Sequence, residues 1–394
     1  MPAKILTSLF LSSLLLAQNA TDFKNSQEKA FKAQKDQFDA YKQNIEDAFK
    51  SYQDAIEKEY ADYEQEISSY WEEPLMSSKK RWVAYTKDKK TRTNIDFEKE
   101  MIIVETIASS EKEAKEKLKK ALANVVTIDT KKAQESDPLE QRLAQIKKPV
   151  FVADAQVEAE PILSTVIFEK APSKDTLITY VEQNVQDKNI QSVDSKKVNS
   201  TKVYTLNISM PPDAMLKRSQ VYKEEIQTQA SRQKVPASLV FAIMHSESSF
   251  NPRAKSHVPA YGLMQIVPKT AGIDSYNFLY KEKKLVSGNY LYNSKNNITM
   301  GSAYLHILYY NYLSKITNPQ SRLYCTIAAY NTGAGNVAWA FTKTNSVHKA
   351  TLLINDLSPD EVYNTLLRDL KYEEPKKYLK NVSQRVLSYE KVYG

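Results

Sequence analysis

Four short segments in the last part of the chain carry side chains whose types and order suit chemistry on a polar substrate. They read HSESSFNPRAKS (245–256), AYGLMQIVP (260–268), AAYNTGAGN (328–336) and EEPKKYLKNV (373–382). Each sets carboxyl, amide or hydroxyl side chains close together, and three of the four begin or end at an apolar stretch. A carboxyl group among such partners is suited to proton transfer.

The carboxyl that attracts most interest is Glu247. It lies at the end of a predicted apolar helix that contains LVFAIM (239–244), and Phe250 follows it. Partial burial disfavours the carboxylate and raises its pKa toward neutrality, and the partial negative charge of a helix C-terminus acts in the same direction. A neutral carboxyl can donate a proton to a leaving oxygen at physiological pH. The residues by themselves leave open a second interpretation, a glutamate at a helix end in water.

The four segments, taken together and in this order, resemble the motifs of the lytic transglycosylase family, which has a lysozyme-like catalytic domain. The matching residues are Glu247-Ser248 with Phe250-Asn251-Pro252, then Gly262-Leu263-Met264-Gln265, then Ala329-Tyr330-Asn331, then Tyr378. The resemblance extends to the membrane-bound lytic murein transglycosylase C type. That type has a preceding α+β domain, to which WVAYTKDKKTRTNIDFEKEMIIVETIA and VYTLNISM are similar.

The resemblance implies a role for each matching position. Glu247 is the single catalytic acid and base. The substrate-binding positions comprise a serine beside the reacting sugar, two groups lining the cleft near the cut bond, a pair that holds the N-acetyl region and orients the glutamate, and a tyrosine near the developing charge. In that order they are Ser256, Met264 and Gln265, Tyr330 and Asn331, and Tyr378.

The implied reaction cleaves the β-1,4 bond between N-acetylmuramic acid and N-acetylglucosamine in peptidoglycan. Protonated Glu247 gives its proton to the bridging oxygen, and the substrate's acetamido oxygen stabilises the cation at C1. The carboxylate then takes the proton from the muramoyl O6, which closes on C1 as a 1,6-anhydro end. A retaining hydrolase of the usual kind needs a second carboxylate about 5 Å away. The motifs offer no obvious candidate, since Glu373 and Glu374 match no nucleophile position.

Two other functions remain as alternatives. One is a lysozyme-type hydrolase on the same fold, similar to goose-type lysozyme, which would leave a reducing end. The other is an inactive wall-binding scaffold protein. The Gly262–Gln265 motif, Tyr330-Asn331 and Tyr378 favour the transglycosylase, and the intact Glu247 argues against a scaffold.

The sequence implies no metal and no cofactor. The four histidines have no HExxH or CxxC companion, and no nucleotide-binding loop is present. The net charge is +8, but acidic and basic residues are interspersed, which makes nucleic acid a weak interpretation. The expected partners are peptidoglycan glycan strands and, as a possibility, proteins of a cell-wall complex. The oligomeric state stays open.

The pattern of helices and strands in the sequence predicts a multidomain protein. Its catalytic domain, at residues 214–394, is predicted to be mostly α and lysozyme-like. Pro211-Pro212 precedes it, and a small α+β accessory domain is predicted at residues 78–212. Within this domain, strands are predicted at 94–107, 149–153, 165–168 and 202–210, a helix at 110–125 and a loop at 129–137. The helices predicted in the catalytic domain are 219–233, 236–247, 297–314, 321–330, 358–370 and 375–389.

A long amphipathic helical arm is predicted at residues 21–72, where eleven-residue blocks begin at 38, 49 and 60. Steps of 3, 4 and 4 residues keep one apolar stripe on one face, since they average about 3.67 residues per turn. The stripe consists of Phe38, Tyr41, Ile45, Phe49, Tyr52, Ile56, Tyr60, Tyr63 and Ile67. Such a face must be covered. We expect it to pack within the chain, on a wall-complex partner, or on a second copy.

The N-terminus predicts export. Lys4 precedes an apolar run at residues 5–17, followed by the small residue Ala20, which together are typical of a signal peptide at residues 1–20. We therefore expect a periplasmic or cell-envelope protein. Cys325 lies in an apolar run and is expected to be a buried structural thiol, so no lipid-anchor cysteine is seen. His245 is expected to be a packed or surface histidine without a catalytic role.

Overall fold

The computed structural model describes residues 3–168, 170–257 and 259–394. Within them it describes side chains from residue 26 onward, except those of residues 30, 38, 41 and 42. The side chains of the predicted signal peptide, and those of Phe38 and Tyr41 in the stripe, therefore lie outside the described residues. The chain divides into two compact units, residues 1–59 with 146–149, and residues 60–145 with 150–394.

The arm is helix α1, Ala3–Ser68. No proline or glycine interrupts the helix between residues 21 and 68, which explains its continuity there. Within the first unit, Phe49 of the stripe is buried, and its ring centroid is 6.5 Å from that of Tyr52. The helix ends before Pro74, as the sequence predicts, but four residues earlier than the predicted end of the arm at residue 72.

The second unit begins with the last turns of α1 and continues into an antiparallel sheet. The strands β1, Arg81–Tyr85, β2, Thr91–Asp96, and β3, Met101–Ala108, follow one another as a meander. The region 94–107, predicted as strand-like, is thus two strands with a turn between them. Helix α2, Glu111–Thr127, follows, with Ser110 as its N-cap as predicted.

The next segment departs from the sequence prediction. The predicted loop at 129–137 is largely a short helix, α3, Thr130–Ser136, and α4, Pro138–Leu143, follows it. The loop prediction was wrong because Asp129 and Asp137, which suggested a loop, accept hydrogen bonds from the first backbone N–H groups of these helices. Of the predicted strand 149–153, the structure retains β4, Val152–Ala153.

The predicted strand at 165–168 was also wrong. These residues form α5, Ser164–Ile167, in which Val166 is buried. Burial of this face overrides the β propensity of the sequence TVIF. Helix α6, Lys174–Asn184, then leads to β5, Ile190–Asp194, and β6, Lys202–Ser209, the last of the predicted strands. The five-stranded sheet has the order β1-β2-β3-β6-β5, and α2 packs on it.

The rest of the second unit is almost all helix. Its elements are α7, Ala214–Val221; α8, Lys223–Gln233; α9, Ala237–Ser248; α10, Ile273–Tyr280; β7, Leu285–Val286; α11, Gly288–Tyr292; α12, Ser294–His306; α13, Pro319–Thr332; α14, Ala334–Thr342; α15, Val347–Asn355; α16, Pro359–Asp369; and α17, Glu373–Tyr393. Short π-helical turns, Pro268–Gly272 and Ile307–Tyr312, precede α10 and follow α12. Strand β7 pairs with β4 in parallel. All six predicted helices are present, although 219–233 is divided between α7 and α8.

Helix α9 occupies the centre of this helical part. Every side chain of its LVFAIM segment is at most 1% exposed, and α9 packs along α17. Cys325 on α13 is buried in the same core, as predicted, and burial raises the pKa of its thiol to about 12. Within the described residues, no helix has both the length and the apolar character needed to cross a membrane.

Candidate active site

Helix α9 carries Glu247 to the floor of a cleft. The helix ends one residue later, and Ser249 and Phe250 adopt left-handed backbone conformations with φ of 52° and 61°. This tight reversal buries Phe250 beneath the helix end, and Glu247 itself is 5% exposed. The apolar run that makes α9 a core helix therefore also removes its last carboxyl from water.

Burial and the groups around it together act on the pKa of Glu247. The Tyr378 hydroxyl donates a hydrogen bond to Oε1 over 2.7 Å, and the Lys79 ammonium lies 3.9 Å from Oε2. Burial raises the pKa of Glu247 and outweighs the lowering by Lys79 and by the Tyr378 hydrogen bond, while the negative charge of Glu374 adds to the rise. The pKa is raised overall, as the apolar helix predicts, so the proton-donating form persists to higher pH than in water.

The cleft above Glu247 has a volume of about 290 Å³. It brings together five of the seven residues predicted as site residues, namely Glu247, Ser256, Gln265, Tyr330 and Asn331. Its remaining lining residues are Lys79, Ala260, Val267, Thr332, Tyr372, Glu374 and Pro375. A groove of this kind, polar on several sides with one buried carboxyl, suits a hydroxyl-rich polymer.

The other two predicted residues do not line the cleft. Met264 is fully buried, and its sulfur packs against the backbone of Gly301 on α12. Tyr378 on α17 is 8% exposed and reaches Glu247 through its hydroxyl. Met264 meets the cleft residues through its backbone, because its carbonyl oxygen accepts a hydrogen bond of 2.9 Å from the Tyr330 hydroxyl.

The loop 260–268 is held in place by a buried asparagine on α12. Asn297 accepts a hydrogen bond from the Met264 backbone N–H at 2.7 Å and donates to the carbonyl oxygens of Tyr261 and Leu291 at 2.8 and 2.9 Å. Gly262 makes the close approach possible, since its φ is +74°. These contacts fix the loop backbone from which the Gln265 side chain enters the cleft.

Gln265 and Ser256 present polar atoms from this loop region. The Gln265 amide nitrogen donates to the Gly262 carbonyl at 3.0 Å, while its buried Oε1 has no protein partner. Such an acceptor is suited to a substrate N–H or O–H group. The Ser256 hydroxyl accepts a hydrogen bond from the Ala260 N–H at 3.1 Å.

The chain matches known proteins along most of its length. A family model described as "Transglycosylase SLT domain" matches residues 224–353, and one described as "Membrane-bound lytic murein transglycosylase C, N-terminal domain" matches residues 49–221. A membrane-bound lytic murein transglycosylase C from Serratia proteamaculans is 34% identical over 330 residues, which is 82% of this chain and 87% of that protein. Its counterpart from Klebsiella pneumoniae subsp. pneumoniae is 33% identical, with 82% and 86% covered.

The chain belongs to the membrane-bound lytic murein transglycosylase C family. It is therefore an enzyme of the lytic transglycosylase class, with the predicted lysozyme-like helical domain behind a smaller domain that contains a sheet. Among solved structures, the 70 kDa soluble lytic transglycosylase from Escherichia coli is 26% identical, with a TM-score of 0.35. That match covers 46% of the present chain and 26% of the other.

Sequence reasoning missed two residues of the transglycosylase site and gave a third no role. Lys79 comes from the segment before β1, and no local pattern links it to the cleft. Asn297 lies on α12 directly after three other polar residues, Ser294 to Asn296, and nothing in that run distinguished it by its three hydrogen bonds. Glu374 belongs to the fourth segment, and the structure places it in the cleft, 3.8 Å from the Lys79 ammonium.

Proposed function

We propose that the protein cleaves the β-1,4 bond between N-acetylmuramic acid and N-acetylglucosamine in peptidoglycan and leaves 1,6-anhydro ends. The observation that carries this proposal is Glu247, a buried carboxyl of raised pKa at the floor of an open polar cleft. Family membership supports the substrate class, because the curated relatives are murein transglycosylases by name.

In the first half of the reaction, Glu247 acts as the acid. Its burial raises its pKa, so the protonated form persists to higher pH than it would in water, and this form gives its proton to the bridging oxygen. The substrate's acetamido oxygen stabilises the positive charge at C1. The Tyr378 hydroxyl, 2.7 Å from Oε1, holds the carboxyl in one orientation and stabilises the anion that results.

In the second half, the Glu247 carboxylate takes the proton of the muramoyl O6, and O6 bonds to C1. Water is not consumed, because a nucleophile tethered to the reacting sugar acts at high effective concentration. We assign Ser256, Gln265 and Asn331 to substrate contacts from the cleft walls. Tyr330 and Met264 together support the wall beside Glu247, since the Tyr330 hydroxyl holds the Met264 carbonyl.

Replacement of the catalytic carboxyl tests the proposal. Glu247→Gln is nearly isosteric but cannot donate and recover a proton, so the rate of anhydro-product release should fall by roughly 10²–10⁴-fold or more. Mass spectrometry of muropeptides released from purified sacculi measures this rate. Glu282→Gln, a surface carboxyl paired with Lys284, serves as the control and should leave it unchanged.

The products also discriminate the alternatives. Reducing ends in place of 1,6-anhydro ends would favour the lysozyme-type hydrolase, and binding of sacculi without cleavage would favour the scaffold. More than a few per cent of the original rate in a folded Glu247→Gln protein would remove Glu247 from its assigned role.

We also propose that the enzyme is exported and faces the wall in the periplasm or cell envelope. The predicted signal peptide at residues 1–20 supports export, and the curated relatives are membrane-bound by name. We expect no diacylglycerol on residues 1–394, since Cys325 is buried in the helical core. Cell fractionation with metabolic lipid labelling tests both points, and incorporated label or a purely cytoplasmic pool would contradict them.

We propose that three parts of the chain have distinct roles, as the sequence suggests. The arm at 21–72 and the α+β part at 78–212 support the catalytic part at 214–394. The glycan strand is the substrate, and any wall-complex partner meets the arm. The packing of the last turns of α1 with the sheet supports an arm anchored in the same chain at its C-terminal end.

A further inference from the structure

A lysine from outside the helical part of the enzyme reaches the catalytic cleft. Lys79 precedes β1, and its ammonium nitrogen lies 3.9 Å from Oε2 of Glu247 and 3.8 Å from Oε1 of Glu374. All three side chains line the same cleft. These distances are too long for direct hydrogen bonds, so the lysine acts on both carboxyl groups through its charge.

The backbone around Lys79 is tied to the loop that follows Glu247. The Asn251 side-chain amide donates to the Lys79 carbonyl oxygen at 3.3 Å, and the Lys255 N–H donates to the Ser78 carbonyl oxygen at 3.4 Å. Asn251 is fully buried. The segment before β1 is therefore held against the catalytic loop on both sides of Lys79, and the position of the ammonium group follows from the fold.

Several charged or titratable groups act on Glu247. They are Lys79 and Lys80 before β1, Tyr330 on α13, and Glu374 and Tyr378 on α17. Lys80 forms an ion pair with Glu98. In the part of the chain that the structure describes, Lys79 is the cation at ion-pair distance from Glu247, and its side chain is 41% exposed while that of Glu247 is 7% exposed.

We propose that Lys79 is a positioning residue that acts through Glu247, by holding a positive charge beside its carboxyl group. Its charge stabilises the carboxylate that forms when the bridging oxygen is protonated. Glu374 limits this stabilisation, because the positive charge of the same ammonium group also interacts with the Glu374 carboxylate. The α+β part of the chain thereby contributes a charge to a reaction whose acid and base, Glu247, belongs to the helical part. This inference rests on the proposed role of Glu247 as acid and base.

The dependence of kcat/KM on pH tests the proposal, since it reports the free enzyme's acid. Glu247 must start protonated, so activity falls as pH rises through its pKa. Lys79→Met removes the stabilising charge, and the falling limb should move to higher pH. Glu374→Gln removes the opposing charge, and the same limb should move to lower pH.

The plateau rate gives a second readout. Without the lysine charge, the Glu247 carboxyl is a weaker acid. Lys79→Met should therefore lower kcat by between about threefold and thirtyfold, which is less than the loss expected when the Glu247 carboxyl itself is removed. Lys79→Arg should keep the limb near its original position. Lys196→Met, which removes a surface charge paired with Glu72, is the matched control and should move neither quantity.

The outcomes separate this inference from the proposed function. An unmoved limb in Lys79→Met, or limbs that move the same way in Lys79→Met and Glu374→Gln, would overturn the role of Lys79. Activity in Glu247→Gln would overturn the proposed function instead. If Lys79→Met does not fold, Lys79→Gln removes the same charge with a polar side chain. The falling limb of its pH profile then tests the role of Lys79 in the same way.

Discussion

At the scale of single residues, the environment of Glu247 is shaped by groups that oppose one another. Burial raises its pKa, whereas Lys79 and the Tyr378 hydrogen bond lower it. A group that must first donate and then accept the same proton needs a pKa near the working pH. Burial at an apolar helix end moves the pKa of Glu247 upward, toward that range, and two anion-stabilising neighbours oppose the rise.

The Tyr378 hydroxyl offers a direct test of this balance. Tyr378→Phe removes the 2.7 Å hydrogen bond, which lowers the pKa of Glu247 in the native enzyme, so the pKa should rise and the falling limb of the pH profile should move to higher pH. A hydrogen bond to a charged group contributes about 1.5–3 kcal/mol, so kcat should fall by roughly tenfold to a hundredfold.

Two results would count against this role of Tyr378. One is an unchanged rate, and the other is a limb that moves to lower pH. Tyr372→Phe provides the control, because Tyr372 lines the same cleft and is a half-exposed tyrosine.

The buried His245 leads to a prediction about how the stability of the folded protein depends on pH. Burial, with Arg385, Lys80 and Arg218 nearby, lowers its pKa from 6.5 to about 3. The unfolded chain therefore binds a proton between these pH values that the folded chain does not, and stability falls as pH falls through this window. By pH 5 the loss from this residue should be about 2 kcal/mol relative to pH 8.

His245→Gln should remove that acid sensitivity while keeping a hydrogen-bonding side chain beside the Tyr389 hydroxyl. Urea unfolding at pH 5 and pH 8 measures the difference, with the exposed His348→Gln as control. Equal acid sensitivity in the wild type and His245→Gln would show that the histidine is not held neutral.

At the scale of elements, the loop 260–268 depends on a glycine packed against α12. A Cβ atom on Gly262 would lie 2.3 Å from the Asn297 amide nitrogen and 2.3 Å from the Leu291 carbonyl oxygen, and the φ of +74° is unfavourable for any other residue. The loop that carries Gln265 into the cleft thus has little room to change.

Gly262→Ala should therefore destabilise the protein by more than about 2 kcal/mol, from backbone strain and from displacement of Asn297. Gly335→Ala is the matched control. Its added Cβ would meet Asn345 at an ordinary 3.5 Å, so the change should be within about 1 kcal/mol of neutral. Denaturant unfolding compares them, and a similar effect at both sites would contradict the close packing at Gly262.

At the scale of the whole molecule, the apolar stripe of α1 is divided between the two compact units. Its last members, Tyr63 and Ile67, join Trp71, Tyr85 and Leu139 in a buried cluster of the second unit. The Trp71 indole N–H donates to the Lys89 carbonyl oxygen at 2.7 Å. The part before Tyr60 belongs to the other compact unit.

Deletions on either side of this boundary should differ. Removal of residues 21–59 should leave cleavage of soluble glycan fragments near its original rate, because the cleft residues all lie in the second unit. Removal of residues 21–72 takes buried aromatic residues from the cluster and should cost more than about 3 kcal/mol. Thermal unfolding and fragment cleavage measure both. Loss of cleavage in a folded 21–59 deletion would show that the arm shapes the cleft.

The sequence by itself determined the local features. The apolar run 239–244 specifies a buried helix that ends at Glu247, and the eleven-residue repeat specifies a long amphipathic helix, because periodicity acts over a few turns of one element. The motif order identified the family and five residues that the structure gathers in one cleft. Ser110 as a helix cap is a local signal of the same kind.

Only the tertiary structure decided which distant groups meet. Lys79 comes within 3.9 Å of Glu247 through a contact between the segment before β1 and the loop after Glu247, and no spacing in a single sequence encodes such an approach. Met264, predicted to line the cleft, is instead buried behind it, since side-chain direction depends on how α12 packs. The charge balance on Glu247 is a sum over neighbours from several elements, and it exists only once these elements have packed together.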